Sequence, residues 1–128
     1  MRVLVDTHVI IWAGLEPKRI GKRATEILAD PSNEIFVSAA SAWEIATKVR
    51  LGKLPGAAAL ERNFIDLVQD AGYTLLSITT EHALRAGRLQ GSPGDPFDRM
   101  IAAQALAEDI PIISMDKKLD VFGIRRIW

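Results

Sequence analysis

Cysteine is absent from this 128-residue chain, which excludes disulfides and every thiolate metal centre and agrees with a reducing cytoplasm. Long apolar runs are absent as well. The opening MRVLVDTH carries one basic residue and an apolar run of three, too short for a signal peptide and far too short for a membrane span, so no membrane partner is expected. Neither sign of charge is in excess, with 16 Lys+Arg against 16 Asp+Glu, and bulk charge therefore supplies no electrostatic footprint for nucleic acid. Any RNA contact has to come from local patches. Arg19, Lys22 and Arg23 form one and Lys48, Arg50 and Lys53 another, each equally readable as a solvated helix face. There is no internal repeat, low-complexity segment or linker.

What the chain does have is a core and a rhythm. A hydrophobic content of 48% suffices for one continuous core, and the length fits a single domain over 1–128. Strands are predicted at 2–6, 34–38, 73–78, 111–115 and 124–128. Helices are predicted at 18–29, 39–51, 58–70, 81–89 and 97–108, with Gly, Pro and Asp at their ends. Between the first strand and the first helix, Asp6-Thr7-His8 reads as a turn followed by the apolar Val9-Ile10-Ile11-Trp12, and Gln90 to Gly94 reads as a loop. Strands separated by helices predict an α/β fold, a parallel sheet flanked by helices.

Four acids fall where these elements begin or end. Asp6 follows the first apolar run and Asp116 the run Pro111 to Met115; Glu44 and Asp98 lie on helices. An open α/β sheet delivers side chains to the crevice at the carboxyl ends of its strands, near the point where strand order reverses. Carboxylates gathered there repel unless a cation neutralises them. In a chain without cysteine and with two histidines, oxygen ligands point to Mg²⁺ or Mn²⁺, and such sites serve phosphoryl transfer or phosphodiester hydrolysis.

Each acid also has a plainer reading. Asp6 and Asp116 sit where an aspartate commonly caps the next helix, and Asp95-Pro96-Phe97-Asp98 has the pattern of an N-cap followed by proline at the first helical position. Asp98 shares a helix face with Ile101, Ala102 and Ala105, beside the apolar stripe, where an acid needs a partner or a cation. Glu44 falls off the stripe of Ala42, Ile45, Ala46 and Val49, and a surface pair with Lys48 at i,i+4 accounts for it on pattern alone. Trp12, Trp43 and Trp128 read as core or homodimer contacts rather than base-stacking platforms, because no basic residues interleave with them.

Four segments in order resemble the PIN-domain endoribonucleases, and among them the VapC-type toxins of toxin-antitoxin pairs: Leu4 to His8, Val37 to Ala46, Asp95 to Ala105, and Ile113 to Asp116. The resemblance runs nearly end to end. It implies a sheet of about five strands in the order 3-2-1-4-5, and Asp6, Glu44, Asp98 and Asp116 as the metal-binding catalytic acids, with Thr7 and Ser114 as supporting hydroxyls. Asp116 is the acid that varies most, with Asp95 and Asp120 as alternatives. It further implies an RNA substrate, Mg²⁺ or Mn²⁺ as cofactor and a cognate antitoxin as partner. Arg99 is expected either to contact phosphate or to be an ordinary surface arginine, and His8 to be a local hydrogen-bonding residue rather than a base. Two rivals are a PIN fold that binds RNA or protein without cutting, and a receiver-like signalling module. The latter needs an aspartate ending the third strand, where Ser77-Ile78-Thr79-Thr80 stands instead.

Overall fold

In the computed structural model, which describes residues 1–91 and 94–128, five short parallel strands form one sheet: β1 Arg2–Val5, β2 Glu34–Ser38, β3 Thr74–Leu76, β4 Ile112–Ile113 and β5 Arg126–Ile127. Their order is β3-β2-β1-β4-β5, as expected, with every neighbouring pair parallel. Seven α-helices connect them: α1 Thr7–Leu15, α2 Lys22–Ala29, α3 Ala39–Arg50, α4 Ala58–Arg62, α5 Phe64–Asp70, α6 Thr80–Arg88 and α7 Pro96–Glu108. 3₁₀ segments cover Pro17–Arg19 and Lys117–Phe122.

The two faces of the sheet bury different side chains because successive residues of a strand point to opposite sides. Val3, Val5, Ile35, Val37 and Ile113 pack with Val9, Trp12, Ile45, Leu60 and Phe64 on one face. Leu4, Phe36 and Ile112 meet Ile101, Ala102, Ala105 and Leu119 on the other. Both faces of β1 are therefore dry, which is why its sequence reads as an unbroken apolar run rather than an alternation.

Four expectations need correction. The turn at Asp6 to His8 is the start of helix α1, which continues through Leu15. The helix expected over 18–29 is a 3₁₀ turn, a break at Ile20-Gly21, and α2; at Gly21 an added Cβ would stand 3.2 Å from Trp128 Nε1, so the close approach of the C-terminal tryptophan uses the glycine. The helix expected over 58–70 is split at Asn63, whose side-chain amide donates back to the Ala59 carbonyl. The strands expected at 73–78, 111–115 and 124–128 are shorter, Thr74–Leu76, Ile112–Ile113 and Arg126–Ile127. Of the loop expected at 90–94, residues 92 and 93 lie outside the described residues.

Strand order reverses at β1, which lies between β2 and β4. The Asp6 N–H donates to the Ile113 carbonyl at 3.0 Å, so the ends of β1 and β4 are stitched together at the switch point.

Candidate active site

Asp6 occupies the N-cap position of α1 without using its side chain as a cap. Its carboxyl instead accepts from the Ser114 hydroxyl at 2.7 Å, and the same serine oxygen accepts from the Asp116 N–H at 3.0 Å. Ser114 is fully buried and Asp6 nearly so. Burial raises the Asp6 carboxyl above its ordinary range, with the Ser114 hydrogen bond and the His8 charge pulling the other way and the Glu44 charge adding to the rise. Thr7, the next residue, is buried and hydrogen-bonded to Ser41 Oγ at 2.9 Å, which ties the first turn of α1 to the first turn of α3.

Glu44 is where pattern reading fails. It is 3% exposed, because α3 packs against α7 as well as against α1 and is buried on two sides. The expected partner is present: the Lys48 ammonium pairs with Glu44 Oε2, but only the lysine reaches solvent, and the carboxylate is buried. The residue before it, Trp43, is 59% exposed, and its ring meets Phe97 edge-on at 4.8 Å. That contact removes Trp43 from the core and joins α3 to α7 beside Glu44 and Asp98.

Asp98 sits half-buried in the first turn of α7. Its carboxyl is pushed up to about 7, first by burial and then by the charges of Asp95, Asp6, Glu44 and Asp116. All four predicted acids thus share one electrostatic neighbourhood, with Asp95 at its edge. Among the described residues, no three Asp, Glu or His side chains stand close enough to hold one ion in this arrangement. Glu44 is turned to Lys48. The donor chemistry nonetheless fits a hard divalent cation: the groups are all carboxylate oxygens, and the charges of Asp6, Glu44 and Asp116 each add to the rise that burial sets at Asp98.

The plainer readings are partly realised. Asp95 Oδ1 caps α7 by accepting from the Phe97 and Asp98 N–H groups at 2.9 and 3.1 Å. Asp116 Oδ1 accepts from the Lys118 N–H at 3.0 Å and starts the second 3₁₀ turn, while still contributing to the charge on Asp98. Asp120 is exposed and gripped by Arg126 through both oxygens at 2.8 and 3.2 Å, and it is not among the charges acting on Asp98. Arg99 turns away from the cluster. Its guanidinium donates to the carbonyls of Ala86, Leu89 and Gly91 at 2.9, 2.5 and 3.2 Å, which holds the C-terminal end of α6.

One supporting residue has no counterpart in the sequence reading. Gln104, fully buried on α7, accepts from the Ser38 hydroxyl at 2.5 Å and donates to the Ser77 carbonyl at 3.3 Å. Ser38 in turn caps α3 by accepting from the Ala40 N–H at 2.9 Å. One glutamine therefore links the helix that carries Glu44 to the helix that carries Asp98. The signal available beforehand was a lone amide in an alanine-rich helix preceded by a serine cap before α3.

Comparison with known proteins agrees with this geometry. The family model described as PIN domain matches residues 3–124. Ribonuclease VapC22 of Mycobacterium tuberculosis is 30% identical over 118 residues, covering 91% of this chain and 88% of that protein. Ribonuclease VapC16 of the same organism is 42% identical over 67 residues, 52% of this chain and 47% of that protein. In fold, the chain resembles the VapBC2 structure of Rickettsia felis bound to a promoter DNA fragment, with a TM-score of 0.74 at 16% identity over 99% of this chain and 98% of that one. It likewise resembles VapBC-5 of Mycobacterium tuberculosis, a member of the VapBC family of toxin-antitoxin systems, with a TM-score of 0.65 at 18% identity over 98% of each chain. A sheet in the order 3-2-1-4-5, acids gathered at its switch point and a family match across residues 3–124 converge: the chain belongs to the PIN-domain family, among its VapC-type members.

Proposed function

We propose that this protein is a ribonuclease that hydrolyses RNA phosphodiester bonds with the help of Mg²⁺ or Mn²⁺, and that it acts as the toxin of a toxin-antitoxin pair. The observation that carries the reading is that Asp6, Glu44, Asp98 and Asp116 share one electrostatic neighbourhood at the switch point, where burial first, and then the charges of Asp95, Asp6, Glu44 and Asp116, push the Asp98 carboxyl up to about 7. The relatives named as ribonucleases and the solved VapBC complexes support the substrate and the antitoxin partner.

Asp6, Glu44, Asp98 and Asp116 would hold the cation. When bound, it would supply the charge that binds the scissile phosphate and lowers the pKa of an attacking water. The chain's own residues set up that chemistry. Ser114 fixes the Asp6 carboxyl, Thr7 and Ser41 lock α1 to α3, and Gln104 keeps the helices carrying Glu44 and Asp98 in register. No covalent intermediate is required, and His8, exposed on α1, is not needed as a base.

The test is cleavage of single-stranded RNA by the purified protein with Mg²⁺ and with EDTA, alongside Asp6→Asn. The expected result is cleavage that is lost in EDTA and in the variant. Cleavage that survives both would place the chemistry elsewhere. Expression of the wild-type protein should also slow growth of the host, and Asp6→Ala should relieve it.

A further inference from the structure

Beside the carboxylates lies a cavity of about 400 Å³ with an uneven charge distribution, lined by Asp6, His8, Trp12, Arg19, Met115, Asp116 and Lys117. Asp6 and Asp116 form its acidic wall. The cations that line the same cavity, Arg19 and Lys117, are exposed but not all loose. Arg19 lies over the Trp12 ring at 4.4 Å from the ring centre, and Trp12 is itself fixed by Trp128, edge-on at 5.9 Å. Stacking of this kind costs the guanidinium conformational freedom before any ligand arrives. The Arg19 contact to Glu16, at 3.5 Å between exposed side chains, is too solvated to compete strongly with a phosphate. Lys117 makes no ion pair among the described residues. The His8 ring, 5.9 Å from that of Trp12, lies on the same side.

We propose that this cavity is a subsite for the nucleotide adjoining the cleaved bond, with Arg19 and Lys117 holding its phosphate. The inference rests on the ribonuclease reading of Asp6 and Asp116. A polynucleotide places one phosphate next to another, so a chain whose scissile phosphate sits at the acids must lay a neighbour close by. The acids repel that neighbour, and the cations lining the same cavity offset the repulsion. Contacts of this kind fix register along the strand without reading base identity. The Trp12 face is covered by Arg19, so the tryptophan orients the arginine and does not stack on a base.

The experiment is binding of a short fluorescent single-stranded RNA in EDTA, as a function of salt, with cleavage in Mg²⁺ measured in parallel. Each phosphate contact on a single strand contributes about 0.7 to the slope of log affinity against log salt. Arg19→Gln/Lys117→Gln should lower that slope by about 1.4 and weaken binding about tenfold or more at low salt. Arg125→Gln, which removes one charge before β5 at the other end of the strands, should change neither. An unchanged slope in the double variant, with cleavage by the wild type intact, overturns the subsite and leaves the ribonuclease reading standing. A slope lowered in the double variant, with a wild type that cuts no RNA in Mg²⁺, overturns the ribonuclease reading and the subsite with it. Should the loss of Arg19 from Trp12 lower the melting temperature, Lys117→Gln alone decides the matter: a slope lowered by about 0.7 supports the subsite and an unchanged one overturns it.

Discussion

The Ser114 hydroxyl donates to Asp6 Oδ2 at 2.7 Å across 108 positions of sequence. That bond joins the end of β4 to the end of β1 at the switch point, and the Asp116 N–H bonded to the same serine brings in a third residue. Ser114→Ala leaves the buried Asp6 carboxylate short of a donor, a loss of about 1–3 kcal/mol. Residues that orient metal-binding groups in this way typically matter about 10–100-fold in activity or metal affinity. Ser114→Ala should therefore lose both stability and cleavage, and Ser114→Thr should keep most of each; a kinetically silent Ser114→Ala would remove Ser114 from the site.

Lys48 and Glu44 should respond unequally to substitution. Glu44→Gln frees an ammonium that is 31% exposed and can turn to water, a cost under about 1 kcal/mol. Lys48→Met strands a carboxylate that is 4% exposed, a cost of about 1–3 kcal/mol. Cleavage should collapse in Glu44→Gln and persist in Lys48→Met, whose lost stability Mg²⁺ should restore. Equal stability losses, or activity retained in Glu44→Gln, would reduce Glu44 to a structural partner of Lys48.

Asp98 sets a pH dependence of definite sign. Its carboxyl ionises at about 7 in the folded protein against 3.8 ordinarily, so the folded state holds the proton more tightly than the unfolded chain. Below about pH 4 both states are protonated; from there to about 7 the unfolded chain alone has released the proton, and stability falls as pH rises, levelling above 7. In metal-free buffer, the melting temperature of Asp98→Asn relative to wild type should climb through this window and then plateau. A difference independent of pH would mean that neither burial nor the neighbouring carboxylates raise the Asp98 carboxyl.

Arg99 separates two roles cleanly. Its guanidinium holds the carbonyls of Ala86, Leu89 and Gly91, so Arg99→Met should lower stability by about 1–3 kcal/mol while leaving the kcat of the folded fraction close to wild type. A normal melting temperature with impaired cleavage would restore the phosphate contact expected from sequence.

The strands were legible because apolar runs buried on both faces need no alternation to be recognised, as at Val3 to Val5 and Ile35 to Val37, whereas their order was legible only through the family resemblance. Helix α1 was hidden by the same chemistry: Val9-Ile10-Ile11-Trp12 is apolar on every side, so it carries no 3.6-residue period, and β-branched residues argue for a strand. Glu44 was legible only through family resemblance. Its helix is buried on two sides, and a one-stripe reading assigns the second buried side to solvent. Asp98 was legible from its own helix face, because an acid beside an apolar stripe needs an explanation. The Gln104 link was not, since a glutamine bridging Ser38 and Ser77 depends on pairing at sequence distances that no local pattern records.

The central claim is that the acids at the switch point hold a divalent cation. The most direct measurement is the melting temperature of the wild-type protein and of Asp6→Asn/Asp98→Asn as Mn²⁺ is added after EDTA treatment. A ligand that binds only the folded state stabilises it by about 2.7 kcal/mol at a hundred times its dissociation constant. The account predicts a saturating rise in the wild type and none in the double variant; an equal rise in both would place the metal somewhere other than these carboxylates.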